Sequence, residues 1–164
     1  MAYRAAVVIL SDKGYHGERE DKSGPALQAL LSEFDVLPTI ILPDDRALIE
    51  QTLIRLADEE KVDVVFTSGG TGLAPRDVTP EATLAVVDRL VPGIPEAMRL
   101  KSLQITNRAM LTRSAAGVRG RTLIINLPGS PKAVAECMEV VLPVMDHALE
   151  TLRGEAYECA RQDS

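Results

Sequence analysis

Four short segments of this chain hold residues that can do chemistry: Ser11-Asp12, Pro43-Asp44-Asp45, Thr67-Ser68-Gly69-Gly70-Thr71-Gly72 and Leu127-Pro128-Gly129-Ser130. The third is the richest. It lacks the lysine of a Walker A loop and the spacing of a dinucleotide fingerprint, so neither assignment applies. Its glycines permit close backbone approach and would turn N–H groups toward an anion such as phosphate. The same residues would also serve a tight strand-to-helix turn. Asp77 follows shortly, beside Arg76. It is a carboxylate placed either to hold Mg²⁺ against a phosphate or to cap a helix beginning near Thr79 and pair with Arg76. Of Asp44 and Asp45, one suits the cap of a helix from Arg46, which leaves the other without a structural task. Asp12 and Asp21 could meet a metal or a polar ring, or simply stay solvated. Lys132 could meet a phosphate or lie on the surface. His16 and His147 have neither metal-ligand spacing nor a nucleophile to serve.

Short apolar runs precede each of these segments. Tyr3 to Leu10 reads as a buried central strand ending at Ser11-Asp12, Val36 to Leu42 as a second, Val62 to Phe66 as a third and Thr122 to Asn126 as a last. Between them, Ser23 before Pro25 marks a helix start with a stripe of Leu27, Leu30, Leu31 and Phe34. Ile49, Leu53 and Leu56 recur at helical spacing through Glu60. Thr79-Pro80-Glu81 opens a helix to Val87, and after a Val91-Pro92-Gly93 turn Pro95 opens another to about Ile105. Leu111 to Arg119 fits either a short strand or a helical turn. A long helix after Lys132 puts Cys137, Val141, Val144, Met145, Ala148, Leu149 and Leu152 on one face. Strands alternating with helices predict a three-layer α/β/α sandwich around a mostly parallel sheet. In such a sheet all four chemical segments converge at the carboxyl edge, where ligands collect.

The 164 residues are enough for one core, and the pattern predicts a single domain over 1–154 with a polar tail over 155–164. Hydrophobic residues at 46% and charged residues at 26% exclude the disordered and membrane classes. A net charge of −6 speaks against a nucleic-acid partner, so any phosphate must be held locally. Cys137 and Cys159 are too few and too loosely spaced for a zinc site or a disulfide framework and are expected to be free thiols. No signal-peptide pattern opens the sequence and no apolar run approaches membrane-spanning length, so a cytoplasmic location is expected.

The run Thr67 to Gly72, combined with Arg76-Asp77-Val78-Thr79-Pro80-Glu81-Ala82-Thr83, closely resembles the signature of MogA/MoaB-type molybdopterin-binding proteins. The likeness extends to Ser11-Asp12, to Asp21 with Ser23-Gly24, to Pro43-Asp44 and to Leu127 through Lys132, so it covers most of the chain. It implies the MogA/MoaB-like fold and a molybdopterin adenylyltransferase of molybdenum cofactor biosynthesis. In that reaction the terminal phosphate of molybdopterin attacks the α-phosphate of MgATP, releasing pyrophosphate. The resemblance makes Asp77 the catalytic or Mg²⁺-linked residue and Asp44 the second acid. Ser68, Gly69, Gly70, Thr71 and Gly72 would cradle phosphate, while Ser11, Asp12, Pro128, Gly129 and Ser130 would line the nucleotide and pterin sites. It further implies a homo-oligomer, trimer or hexamer, and transfer of product to a molybdate-inserting enzyme. The MoaB-like branch shares these motifs, so a non-catalytic molybdopterin carrier or scaffold is the alternative. A nucleotide-cleaving module, as in competence-damage proteins, is a third reading, although that version usually carries a further domain.

Overall fold

The computed structural model describes residues 2–155. Its first strand, β1 (Arg4–Leu10), alternates cleanly: Ala5, Val7 and Ile9 pack on one side of the sheet, Ala6, Val8 and Leu10 on the other. Both faces of the strand are covered by helices, which is why it reads as an unbroken apolar run.

The chain continues through a one-turn helix α1 (Asp12–Tyr15), α2 (Ser23–Leu30), β2 (Asp35–Val36), β3 (Ile40–Leu42), α3 (Arg46–Asp58) and β4 (Val64–Ser68). Then come α4 (Thr79–Val86), β5 (Arg89–Leu90), α5 (Gly93–Leu103), a 3₁₀ turn (Asn107–Leu111), β6 (Ala116–Arg119), β7 (Thr122–Leu127) and α6 (Pro131–Arg153). The sheet runs β2-β1-β4-β7-β6-β5, with β3 also paired to β1. Pairings among β1, β2, β3, β4 and β7 are parallel, whereas β5–β6 and β6–β7 are antiparallel.

One face is covered by α2, α5 and α6, through Leu27, Met98, Val134, Met138, Val141 and Met145. The other is covered by α3 and α4, through Ile49, Leu53, Leu56, Ala82 and Val86. The expected three-layer sandwich is therefore present. After β1 the chain pairs β2 and β3 on one edge of that strand and β4 on the other, with α2 and α3 on opposite faces. The carboxyl ends of β1 and β4 thus flank a topological switch point, where a crevice opens.

A buried polar pin lies just beneath that crevice. Asn126 on β7, fully buried, donates to the hydroxyls of Thr67 (3.0 Å) and Thr83 (2.9 Å) and accepts from the Ala115 N–H at 3.1 Å. It joins β7 to β4, to α4 and to the segment entering β6.

Several expectations change. The single strand over Val36–Leu42 is two, because Pro38 falls between β2 and β3 and cannot donate to a ladder. Ser23 does not cap α2. It is the first residue of the helix, after Lys22 at the cap position, and the carboxylate of Asp21 accepts from the Ser23 and Gly24 N–H groups at 3.0 and 3.1 Å. The ambiguous Leu111–Arg119 stretch becomes the end of the 3₁₀ turn and then β6. Val144 is 49% exposed and leaves the apolar face of α6, while Val134 and Met138 join it. Cys137 is a free, buried thiol. Cys159 and most of the predicted tail lie outside the described residues. Among the described residues no helix is long and apolar enough to cross a membrane.

Candidate active site

The carboxyl ends of β1, β4 and β7, with the start of α6, surround an open cleft of about 990 Å³. Nine of the twelve residues singled out from sequence line it: Ser11, Asp12, Asp44, Ser68, Gly69, Gly70, Asp77, Gly129 and Ser130. Thr71, Gly72 and Pro128 do not, and neither does Lys132. The carbonyls of Thr71 and Gly72 are instead held by Arg113, and that of Pro128 accepts from the Ser68 hydroxyl at 2.7 Å.

The glycine loop is shaped by its backbone. Gly69 has φ +101° and a Cβ there would lie 2.4 Å from the Leu10 carbonyl oxygen. Gly70 has φ +68°, and its Cβ would lie 2.3 Å from Thr79 Oγ1. Both positions require glycine on conformation and on space. The Gly69 N–H is already given to the Leu127 carbonyl at 3.1 Å, so this residue contributes room and not an anion donor. The start of α4 is tied to the loop by Thr79, whose hydroxyl donates to the Gly69 carbonyl (2.9 Å) and whose N–H donates to that of Gly70 (3.2 Å). Turn formation and ligand access are both built into these residues.

The acidic residues divide their work. Asp45 caps α3, accepting from the Leu48 N–H at 3.0 Å, which frees Asp44 for the cleft. Asp44 and Asp12 are cross-linked: the Asp44 N–H donates to Asp12 Oδ1 (2.9 Å) and the Asp12 N–H to Asp44 Oδ2 (3.2 Å). Arg76 grips both oxygens of Asp12 at 2.5 and 2.9 Å and donates to the Asp44 carbonyl at 3.2 Å. That guanidinium holds the Asp12 carboxyl down at about 2, helped by the Asp44 N–H. Burial pushes Asp44 the other way, and the negative charges of Asp12 and Asp77 push it further. Its Oδ1 is buried with no hydrogen-bond partner, a costly state for a carboxylate oxygen. Asp77 does not cap α4, whose N-cap is Val78. Its Oδ2 accepts from the Ala74 N–H at 3.0 Å within the loop, and the predicted Arg76–Asp77 pair gives way to Arg76–Asp12.

The third wall is the start of α6. Ser130 caps it by accepting from the Ala133 N–H at 3.2 Å, and Pro131 occupies the first turn. The N-terminus of this 23-residue helix opens on the cleft, a favourable setting for a phosphate. The Ser23 hydroxyl donates to the Gly129 carbonyl at 2.7 Å, fastening this loop to α2.

The arrangement unites an uncommitted carboxylate oxygen, a second carboxylate, a glycine loop with room for close approach and a helix N-terminus. It suits a polyphosphate substrate. Sequence reasoning missed Arg113, and Arg76 as the partner of Asp12. No local spacing signals either, since each contact joins residues far apart in the chain.

The family known as "Probable molybdopterin binding domain" matches residues 6–147. The chain belongs to this family. A relative from Helicobacter pylori, named molybdopterin adenylyltransferase, is 45% identical over 90% of this chain and 86% of its own length. One of the same name from Escherichia coli K12 is 47% identical over 84% of this chain and 73% of its own length. The crystal structure of the molybdopterin biosynthesis enzyme MoaB from Thermus thermophilus superposes with a TM-score of 0.88 at 48% identity, covering 95% of this chain and 99% of that one. These matches agree with the resemblance first carried by the Thr67–Thr83 signature.

Proposed function

We propose that this protein is a molybdopterin adenylyltransferase, moving AMP from ATP to the phosphate of molybdopterin. The observation that carries the reading is the partnerless, buried Oδ1 of Asp44 at the edge of a glycine-loop cleft, in a chain close to relatives named for that activity. A pterin phosphate oxygen attacks the α-phosphorus of ATP. The new P–O bond forms as the bond from that phosphorus to the bridging oxygen breaks, and pyrophosphate leaves with the electron pair. The nucleophile is already an anion, so no strong base is needed and catalysis rests on position and charge.

The residues present fit Mg²⁺. Among the described residues no three His, Cys, Asp or Glu side chains are grouped to enclose an ion, but Mg²⁺ bound with a nucleotide usually takes only one or two carboxylates. Asp44 and Asp77 both line the cleft, near enough for the charge of one to act on the other, and supply hard oxygen donors. The ion would neutralise phosphate charge. Ser11, Ser68, Gly70, Gly129 and Ser130 line the volume that nucleotide and pterin would share, with the α6 N-terminus facing phosphate. Asp12, neutralised by Arg76, has the task of fixing the Asp44 backbone. A homotrimer or hexamer, a cytoplasmic location and delivery of product to a molybdate-inserting enzyme belong to the same proposal.

The test follows the transferred group. Incubation with molybdopterin and ATP labelled in the α-phosphate should give label on the pterin. Stoichiometric pterin binding without label transfer would replace the enzyme with a carrier.

A further inference from the structure

Arg113 enters the fold between the 3₁₀ turn and β6 and is not among the residues that line the cleft. Its Nε donates to the Gly72 carbonyl at 2.8 Å and its Nη2 to the Asp77 carbonyl at 2.7 Å. Its Nη1 meets both carboxylate oxygens of Glu81 on α4, at 2.6 and 2.8 Å. Its own N–H donates to the Thr71 carbonyl at 2.8 Å. One residue thus holds both ends of the loop that carries Asp77 and also the helix that follows it. Arg113 is itself held in place from α5, where Arg99 donates to the carbonyls on either side, Thr112 at 3.1 Å and Ser114 at 2.9 Å.

We infer that Arg113 is a positioning residue, fixing the Asp77 carboxylate toward the cleft by clamping the loop at Gly72 and Asp77. This rests on the adenylyl-transfer reading. Leu73, Ala74, Pro75 and Arg76 are all exposed, so the loop has little packing of its own to define its path. The side chain of Asp77 has one local bond, to the Ala74 N–H, inside the same loop. That bond shapes the loop internally but does not anchor it to the sheet. Arg76 ties the exposed tip of the loop to Asp12 and to the Asp44 carbonyl, but the stretch that carries Asp77 is anchored by Thr79 and by the Arg113 donors, whose planar fork meets two carbonyls and a carboxylate at once. Lysine keeps the charge but not the fork.

The experiment compares full-length wild type with Arg113→Lys by hydrogen–deuterium exchange over residues 72–78 and by steady-state kinetics with molybdopterin and MgATP. The expected result is faster exchange in that segment. The turnover number should fall ~10- to 100-fold, with pterin affinity within about twofold of wild type, because a misplaced group costs the transition state more than the ground state. A residue serving stability alone would lower the melting temperature and leave turnover of the folded protein intact, and that outcome overturns the inference. So does wild-type exchange in the variant. If wild type itself transfers no AMP, the reading of the reaction fails while the exchange comparison still decides whether Arg113 holds the loop. Should Arg113→Lys not fold, Glu81→Gln weakens the same clamp, and a smaller change in the same direction is expected.

Discussion

Replacing Asp44 with asparagine separates what this side chain does for the reaction from what it does for the fold. In the native protein Asp44 Oδ1 is buried without a partner, and the side chain faces the charges of Asp12 and Asp77. Leaving a buried polar atom unsatisfied costs ~1–3 kcal/mol, more when it is charged. The amide of the replacement keeps an oxygen to accept the Asp12 N–H and removes the charge. The backbone bond from residue 44 to Asp12 is untouched. The net effect is a stabilisation of about 1 kcal/mol, at the low end of that range because the amide nitrogen gains no new partner in exchange. In a chain of this size that raises Tm by ~2–4 °C. The effect disappears in acid. A carboxyl whose folded pKa is raised binds its proton more tightly when folded, so its penalty is absent below the unfolded value and accumulates as pH rises through the folded one. The gain of Asp44→Asn over wild type should therefore be present at about pH 7.5 and vanish below about pH 4. Urea denaturation at both pH values measures it, alongside pyrophosphate release, which should fall ~100-fold or more. A variant less stable than wild type by about 1 kcal/mol or more and still active would refute the reasoning, since Asp44 would then be a structural residue.

Other perturbations have equally definite outcomes. Gly70→Ala must place a Cβ at φ +68° against Thr79 Oγ1. Left-handed strain plus the displaced hydroxyl bond should cost ~2–4 kcal/mol by denaturation, and an effect under about 0.5 kcal/mol would mean that the loop relaxes freely. Asn126→Leu removes all three bonds of the buried pin and leaves the Ala115 N–H unpaired. A loss of ~3 kcal/mol or more is expected, read as an earlier urea midpoint with unchanged slope. Asp77→Ala deletes a single hydrogen bond to Ala74, so stability should drop by only ~0.5–1.5 kcal/mol while turnover disappears. A large thermal loss would return Asp77 to a purely structural role.

The parts of the fold legible in the sequence are those whose signals are local. β1, β4, β7, α3 and α6 have unbroken apolar runs or a clear helical stripe, and tertiary packing has no reason to overrule them. β5 escaped because Arg89-Leu90 is only two residues long, and β6 stayed open between strand and helical turn because Ala116-Gly117-Val118 lacks bulk. Gly117 is needed there because a Cβ would lie 2.7 Å from the Arg89 carbonyl oxygen. Such a close approach is visible only in three dimensions. In the site, the strand-end rule brought Asp12, Asp44, Gly70 and Ser130 to one cleft because a parallel sheet puts all its carboxyl ends together. It could not show which way each loop faces. Thr71 and Gly72 sit in the glycine run yet turn toward Arg113, and the partner of Arg76 is Asp12 and not its neighbour Asp77.

The most direct test of the account is pyrophosphate release from MgATP, measured with and without molybdopterin for wild type and Asp77→Ala side by side. Release that depends on the pterin and is lost in the variant is the predicted result. Tight pterin binding with no release from the wild type, or equal release from both proteins, would contradict the assignment of this cleft as an adenylyl-transfer site.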